Sequence, residues 1–161
     1  MAWTTPGTAV AGDVLTAARW NTDVRDNTLS LARGIVARAT ITNSQNTTSA
    51  SPVDVTNATV TWTAESNRLY KVSFTTYMTK FNAAGNVVLL ITDGSNVQKQ
   101  NRDTYFDGAT TYQHGFIWVV ETGLSGSITR KIRFATSTSS VTIEGGTLYP
   151  SQLIVEDCGL A

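Results

Sequence analysis

His114 is the one imidazole in a chain of 161 residues, and histidine is the side chain whose ordinary pKa suits proton transfer near neutrality. It stands in Tyr112-Gln113-His114-Gly115, at the mouth of an apolar run. A hydrolytic role would require a nucleophile and an orienting carboxylate beside it. Ser125, in Gly123-Leu124-Ser125-Gly126, is a candidate nucleophile, but the second glycine of a nucleophile elbow is missing. The pattern favours a histidine at a strand edge or an interface over a catalytic one. One His and one Cys cannot furnish the tetrahedral set of a zinc site. Asp93, Asp103 and Asp107, with Gly94 and Gly108 beside two of them, lack the spacing of a dedicated calcium loop. Turn-forming Asx residues account for all three. The expectation is no catalytic centre, no metal and no cofactor.

Aromatic rings are the other candidate chemistry. Tyr105, Phe106 and Tyr112 flank Asp107-Gly108-Ala109-Thr110 and form a candidate ligand loop, since exposed ring faces can stack on sugars. The competing expectation is that Phe106 and Tyr112 pack beneath the loop, as buried aromatics commonly do.

The elements that would carry these residues are mostly strands. Hydrophobic residues make up 41% of the chain and charged residues only 15%, so the polar surface must be built from Thr, Ser and Asn, a β-rich composition. Lys+Arg 12 balances Asp+Glu 12, which supplies no basic face for nucleic acid and no attraction to an anionic membrane. The lone Cys158 cannot form an intrachain disulfide. The amino terminus lacks the basic-then-apolar pattern of a secretory signal, so the expectation is a chain made and folded in a cytoplasm.

Two periodicities divide the chain near Gly34. Residues 1–34 read as a Thr/Pro/Gly-rich arm carrying Trp3, then a helix with Thr16 as N-cap and Gly34 as its stop. From residue 35 to 161 the period is 2. Ile35–Thr42 forms a first strand, and Asn43–Pro52 a loop. Val53 to Trp62 forms strand positions broken by a turn or bulge at Asn57-Ala58. Tyr70, Val72, Phe74, Thr76 and Met78 share one face of a long strand, with Lys71, Ser73, Thr75 and Thr79 on the other. Val87–Thr92 and Phe116–Val120 are continuous apolar runs, and Asp93-Gly94 marks a turn. Strand signals then follow at Ile128 to Phe134, at Val141 and Ile143, and at Leu153 to Val155. About eight strands without a second helix predict an antiparallel sandwich or barrel.

The helix looks like an assembly device. Trp20, Val24, Asn27 and Leu31 follow 4-3-4 spacing and form a narrow, heptad-like stripe. A helix lying on its own sheet usually shows a wider apolar face, and Asn27 inside the stripe suits a bundle in which copies bond each other. Fewer than three heptads cannot hold chains together alone, so the β-domain must contribute. Val87–Ile91 and Phe116–Val120 are the candidate contact runs, because neither shows a polar alternate face.

Met1-Ala2-Trp3-Thr4-Thr5-Pro6, Val14-Leu15-Thr16-Ala17-Ala18, Trp20-Asn21 and Arg25-Asp26-Asn27 together resemble a segment that opens tailed-bacteriophage virion proteins. Pro150 and Gln152-Leu153-Ile154-Val155-Glu156-Asp157 resemble the closing strand of phage structural β-domains, with Cys158 where an aliphatic is usual. The resemblance covers the first forty residues or so and the last ten. It implies a non-enzymatic virion component, whether decoration, head-fibre or minor tail protein, with a jelly-roll β-domain and commonly a homotrimer. It also implies docking on other virion proteins through the N-terminal region, with Trp3 and Arg25 as docking residues. A receptor-binding protein that grips host-surface glycans through the Tyr105–Tyr112 loop is the alternative on the same scaffold.

Overall fold

Alternating residues write the strands, and the inward phase of each strand builds one core. The computed structural model describes residues 16–21, 24, 28, 31–81, 83–108, 111–146 and 150–161. Among them are β1 (Gly34–Ile41), β2 (Gln45–Thr47), β3 (Val53–Ala64), β4 (Arg68–Phe81) and β5 (Gly85–Asp93). β6 (Gln98–Phe106), β7 (Thr111–Glu121), β8 (Gly126–Thr136), β9 (Ser140–Ile143) and β10 (Ser151–Leu160) complete the series. Every pairing is antiparallel.

The strands form two sheets. In the first, the order is β1-β10-β4, with β7 on the opposite edge of β4 and β9-β2 continuing beside the far half of β4. In the second, the order is β3-β8-β5-β6. The chain passes from one sheet to the other at most connections, the wrapping of a jelly-roll β-sandwich. Tyr70, Val72, Phe74 and Met78 of β4 are buried against Val87, Leu89 and Ile91 of β5 and Ile132 and Phe134 of β8. Leu153 and Val155 of β10 close the same core. Burying this apolar surface is the main force that holds the sheets together.

Most strand expectations hold. The bulge expected at Asn57-Ala58 is there: the β3–β8 register shifts between Asp54 and Thr59, and Asn57 has a φ of 64°. Val87–Thr92 lies in β5, flanked by β8 and β6. Asp93 closes the β5–β6 hairpin, its N–H donating to the Val97 carbonyl at 3.0 Å. One expectation is corrected. The loop assigned to Asn43–Pro52 contains β2, three polar residues held by β9, and so short a strand leaves no apolar alternation to read.

The helical region is described in part. One turn, α1 (Ala17–Trp20), has the Thr16 carbonyl accepting from Trp20 N–H at 2.9 Å. Gly34 adopts a left-handed φ of 74° but opens β1 instead of ending a helix, because Leu31 is in a bend and residues 32–33 are irregular. Trp3, Arg25 and Asn27 lie outside the described residues. No helix among the described residues is long and apolar enough to cross a membrane.

Candidate functional site

β7 pairs with β4 on one side only, and its alternation divides Phe116–Val120 between two environments. Gly115 and Ile117 point inward and are buried. Tyr112, His114, Phe116, Trp118 and Val120 stand on the outer face of the first sheet, opposite Thr79, Tyr77, Thr75, Ser73 and Lys71 of β4. Trp118 is 49% exposed, Tyr77 45% and Val120 42%. Ile35 at the start of β1 belongs to the same face, in a row with Glu156 and Lys71, and it too is exposed. The result is a column of aromatic and aliphatic groups along β7, widened by Tyr77. The charges at its border neutralise each other, Lys71 Nζ lying 3.2 Å from Glu156 Oε2.

The run Val87–Ile91 does not offer a second such face. Val87, Leu89 and Ile91 face the core and are buried, and of the outward residues Leu90, between Arg133 and Asn101, is buried and Val88 half-buried. Of the two candidate runs, only Phe116–Val120 presents apolar surface.

His114 sits in the middle of the β7 column. Its ring meets Tyr77 edge-on, with centroids 5.1 Å apart and planes at 78°, a favourable aromatic geometry. Ser125 lies beyond the far end of β7, in the turn before β8, about 20 Å along the strand at strand rise. The structure does not bring the two together. Gly115 lets β7 lie close on the core: a Cβ there would come within 2.8 Å of Thr76 Cγ2 and 3.0 Å of Leu89 Cδ1 and Met78 Cε.

The candidate ligand loop is divided. Phe106 is fully buried, so it packs under the loop and has no ring face for a ligand. Tyr105 and Tyr112 are exposed, at 63% and 73%. Tyr105 alternates with inward Phe106 and so faces out from the second sheet, whereas Tyr112 faces out from the first. The two rings therefore do not share one platform. Gln113 Nε2 donates to the Tyr105 carbonyl at 3.1 Å and Arg102 to the Phe116 carbonyl at 2.7 Å, which ties the neighbouring edges of β6 and β7.

Of the three acidic residues, Asp93 acts in a turn, whereas Asp103 lies within β6 opposite Val88 and is not the turn residue expected. Asp93 Oδ1 accepts from the Ser95 and Val97 amides, each at 2.9 Å, and Oδ2 pairs with Lys99 at 3.2 Å. The Val97 amide bond first, with the Lys99 and Ser95 bonds, holds its carboxyl below the usual range against the opposing effect of desolvation. Among the described residues no three His, Cys, Asp or Glu side chains gather into a group that could hold a metal.

Of the expected helical stripe, Trp20, Val24 and Leu31 are all exposed, but Leu31 lies in a bend rather than in a helix. The joint between stripe and sandwich is a buried ion pair that the sequence reading did not single out. Arg68 Nε meets Asp157 Oδ2 at 2.5 Å with both side chains 1% exposed. Arg68 also donates to the Leu31 carbonyl at 2.6 Å, and Arg33 pairs with Glu65. Burial would raise the Asp157 carboxyl, but Arg68, the Gly159 amide and Arg33 together outweigh it and hold it below the usual range. A second pair, Arg130 with Glu121 at 2.6 Å, sits under the ring of Trp62, 5.9 Å from its centroid. The signal for both was strand phase: Asp157 alternates with Leu153 and Val155, and Arg130 with Ile132 and Phe134. A charge in an inward phase implies a partner.

No protein-family model and no curated protein matches the chain. Among solved structures, the fold is similar to that of Eiger TNF from S. frugiperda, with a TM-score of 0.48 and 10% identity over 80% of this chain and 94% of that one. It is also similar to chains of the infectious bursal disease virus Gx strain (TM-score 0.42, 16% identity) and Gt strain (TM-score 0.42, 17% identity), each over 80% of this chain. The chain spans 37% and 38% of the length of those two viral chains.

Proposed function

We propose that the protein is a non-enzymatic structural component of a phage virion that self-associates as a trimer and docks through its N-terminal region. The observation that carries the reading is the apolar outer face of the first sheet, where Tyr77, Trp118 and Val120 stand exposed beside Tyr112. A contiguous exposed apolar patch on a domain marks a contact surface. Ile35 is exposed as well, and so are Leu31, Val24 and Trp20 earlier in the chain, so one copy offers its neighbours apolar groups from two stretches adjacent in sequence. The partner that fits both is a second copy of this chain, because the face is electrically neutral and asks for no oppositely charged ligand. The role as decoration, head-fibre or minor tail protein, and docking through Trp3 and Arg25, rest on the sequence resemblance.

The test is the absolute mass of the full chain by light scattering behind a sizing column, beside Trp118→Lys. The reading requires a trimer that dissociates in the variant, while circular dichroism of the two chains stays the same. A wild-type monomer at every concentration contradicts it.

A second reading is supported by the exposure of Tyr105 and Tyr112: recognition of host-surface glycans. Glycan-array binding that disappears in Tyr112→Ala would favour it, and silence across the array would remove it.

A further inference from the structure

We infer that His114 makes the contact between copies pH-gated: neutral, it is buried in the interface; protonated, it releases the neighbouring copy. The inference rests on self-association through the β7 face and adds its regulation. His114 is the chain's single histidine and lies inside the aromatic column, not at its rim, with Phe116 and Tyr112 next to it in the same outward phase and Tyr77 edge-on. A copy seated on Trp118 and Tyr77 removes this imidazole from water. Removing a neutral imidazole costs little, whereas an imidazolium loses its hydration without gaining a partner.

The charged groups on the elements around it are already engaged. Lys71 of β4 pairs with Glu156 of β10. Arg102 of β6 donates to the Phe116 carbonyl. Glu144, just after β9, accepts from Thr79 at 2.6 Å and Ser44 at 3.0 Å. In a ring of copies the imidazoles also come from equivalent positions, so charging them adds like-charge repulsion. Acidification to about pH 5.5 stays above the ordinary carboxylate range. Asp54, Glu65, Asp93 and Asp157 are all held below that range by their partners.

Linkage fixes the sign. Assembly prefers the neutral ring, so association weakens as pH falls. The experiment is the mass of the full chain, read by light scattering across a dilution series at about pH 7.5 and about pH 5.5, values that bracket imidazole titration. His114→Phe keeps the ring against Tyr77 and cannot charge; His114→Arg is charged at both pH values. We expect wild type to dissociate at the lower pH, His114→Phe to stay associated at both, and His114→Arg to be dissociated at both, all with unchanged circular dichroism. Equal association of wild type at both pH values overturns the gate and leaves self-association standing. Equal acid dissociation of wild type and His114→Phe overturns it as well, since another group would then be responsible. A wild-type monomer at about pH 7.5 removes the self-association reading and the gate together.

Discussion

On the β3-β8-β5-β6 sheet the outward positions of β3 are Thr59, Thr61 and Thr63, and those of β8 are Ser127, Thr129 and Lys131. Along β7 of the other sheet the outward positions are Tyr112, His114, Phe116, Trp118 and Val120. Both sheets face inward with the same kind of aliphatic and aromatic core, so burying that core does not require an apolar outer face on either. Hydroxyls on the second sheet bond each other across strands, as Thr61 and Thr129 do at 2.9 Å, and otherwise face water. The first sheet forgoes that arrangement and leaves large rings uncovered. Exposed aromatic surface tends to cause aggregation unless something covers it, and β3 and β8 of the second sheet show that this scaffold can avoid it. On the proposed reading, the difference is a contact surface and not a by-product of the fold.

Substitutions at four positions break or sharpen this contrast. The largest effect belongs to Asp157→Ala, which strands Arg68 in the interior and loosens the joint between the helical stripe and the aromatic sheet. It should cost about 3–5 kcal/mol of stability, read as a lowered midpoint in thermal or urea unfolding. Its pH dependence follows from the depressed carboxyl. The stabilisation is present above about pH 4, the ordinary carboxylate value, and is lost as pH falls through the lower folded value. The stability gap between wild type and Asp157→Asn is therefore wide at neutrality and closes in acid.

Next comes Trp118→Lys. It should leave the unfolding midpoint nearly unchanged but weaken association by about 30-fold or more, the scale of an interface hot spot of about 2 kcal/mol. Leu31→Ser trims the helical stripe at its junction with the sandwich and should weaken association by about fivefold, near 1 kcal/mol; sedimentation equilibrium would measure it. Smallest is Thr61→Ala on the hydroxylated face, which removes one cross-strand hydroxyl bond. It should cost no more than about 0.5–1 kcal/mol in unfolding and nothing in association. An association defect in Thr61→Ala would erase the contrast between the faces.

Much of the sandwich was legible because strand phase is local. Tyr70, Val72 and Phe74 announce an inward face by alternation alone, and Asp93-Gly94 announces a hairpin by turn chemistry. The outward face of β7 was less legible. Phe116–Val120 is apolar in both phases, and a run like that reads the same whether its strand is central, like β5, or at an edge, like β7; only the pairing order decides which alternate residues stay exposed. The buried pair of Arg68 and Asp157, 89 residues apart, shows the same limit. Each residue's inward phase could be read along its own strand, but their meeting required the register of β10 on β4. Phe106 and Tyr105 differ for a local reason: neighbours in a strand face opposite ways, so one aromatic of an adjacent pair is buried and the other exposed.

The most direct test compares the two faces in the same molecule. Hydroxyl-radical footprinting of the full chain, over a concentration range spanning dissociation and assembly, reads the exposure of Trp118 and Tyr77 against that of Tyr105. The account predicts that Trp118 and Tyr77 become protected as concentration rises while Tyr105 stays reactive. Constant reactivity at Trp118 and Tyr77 through assembly, or protection at Tyr105 in their place, would contradict it.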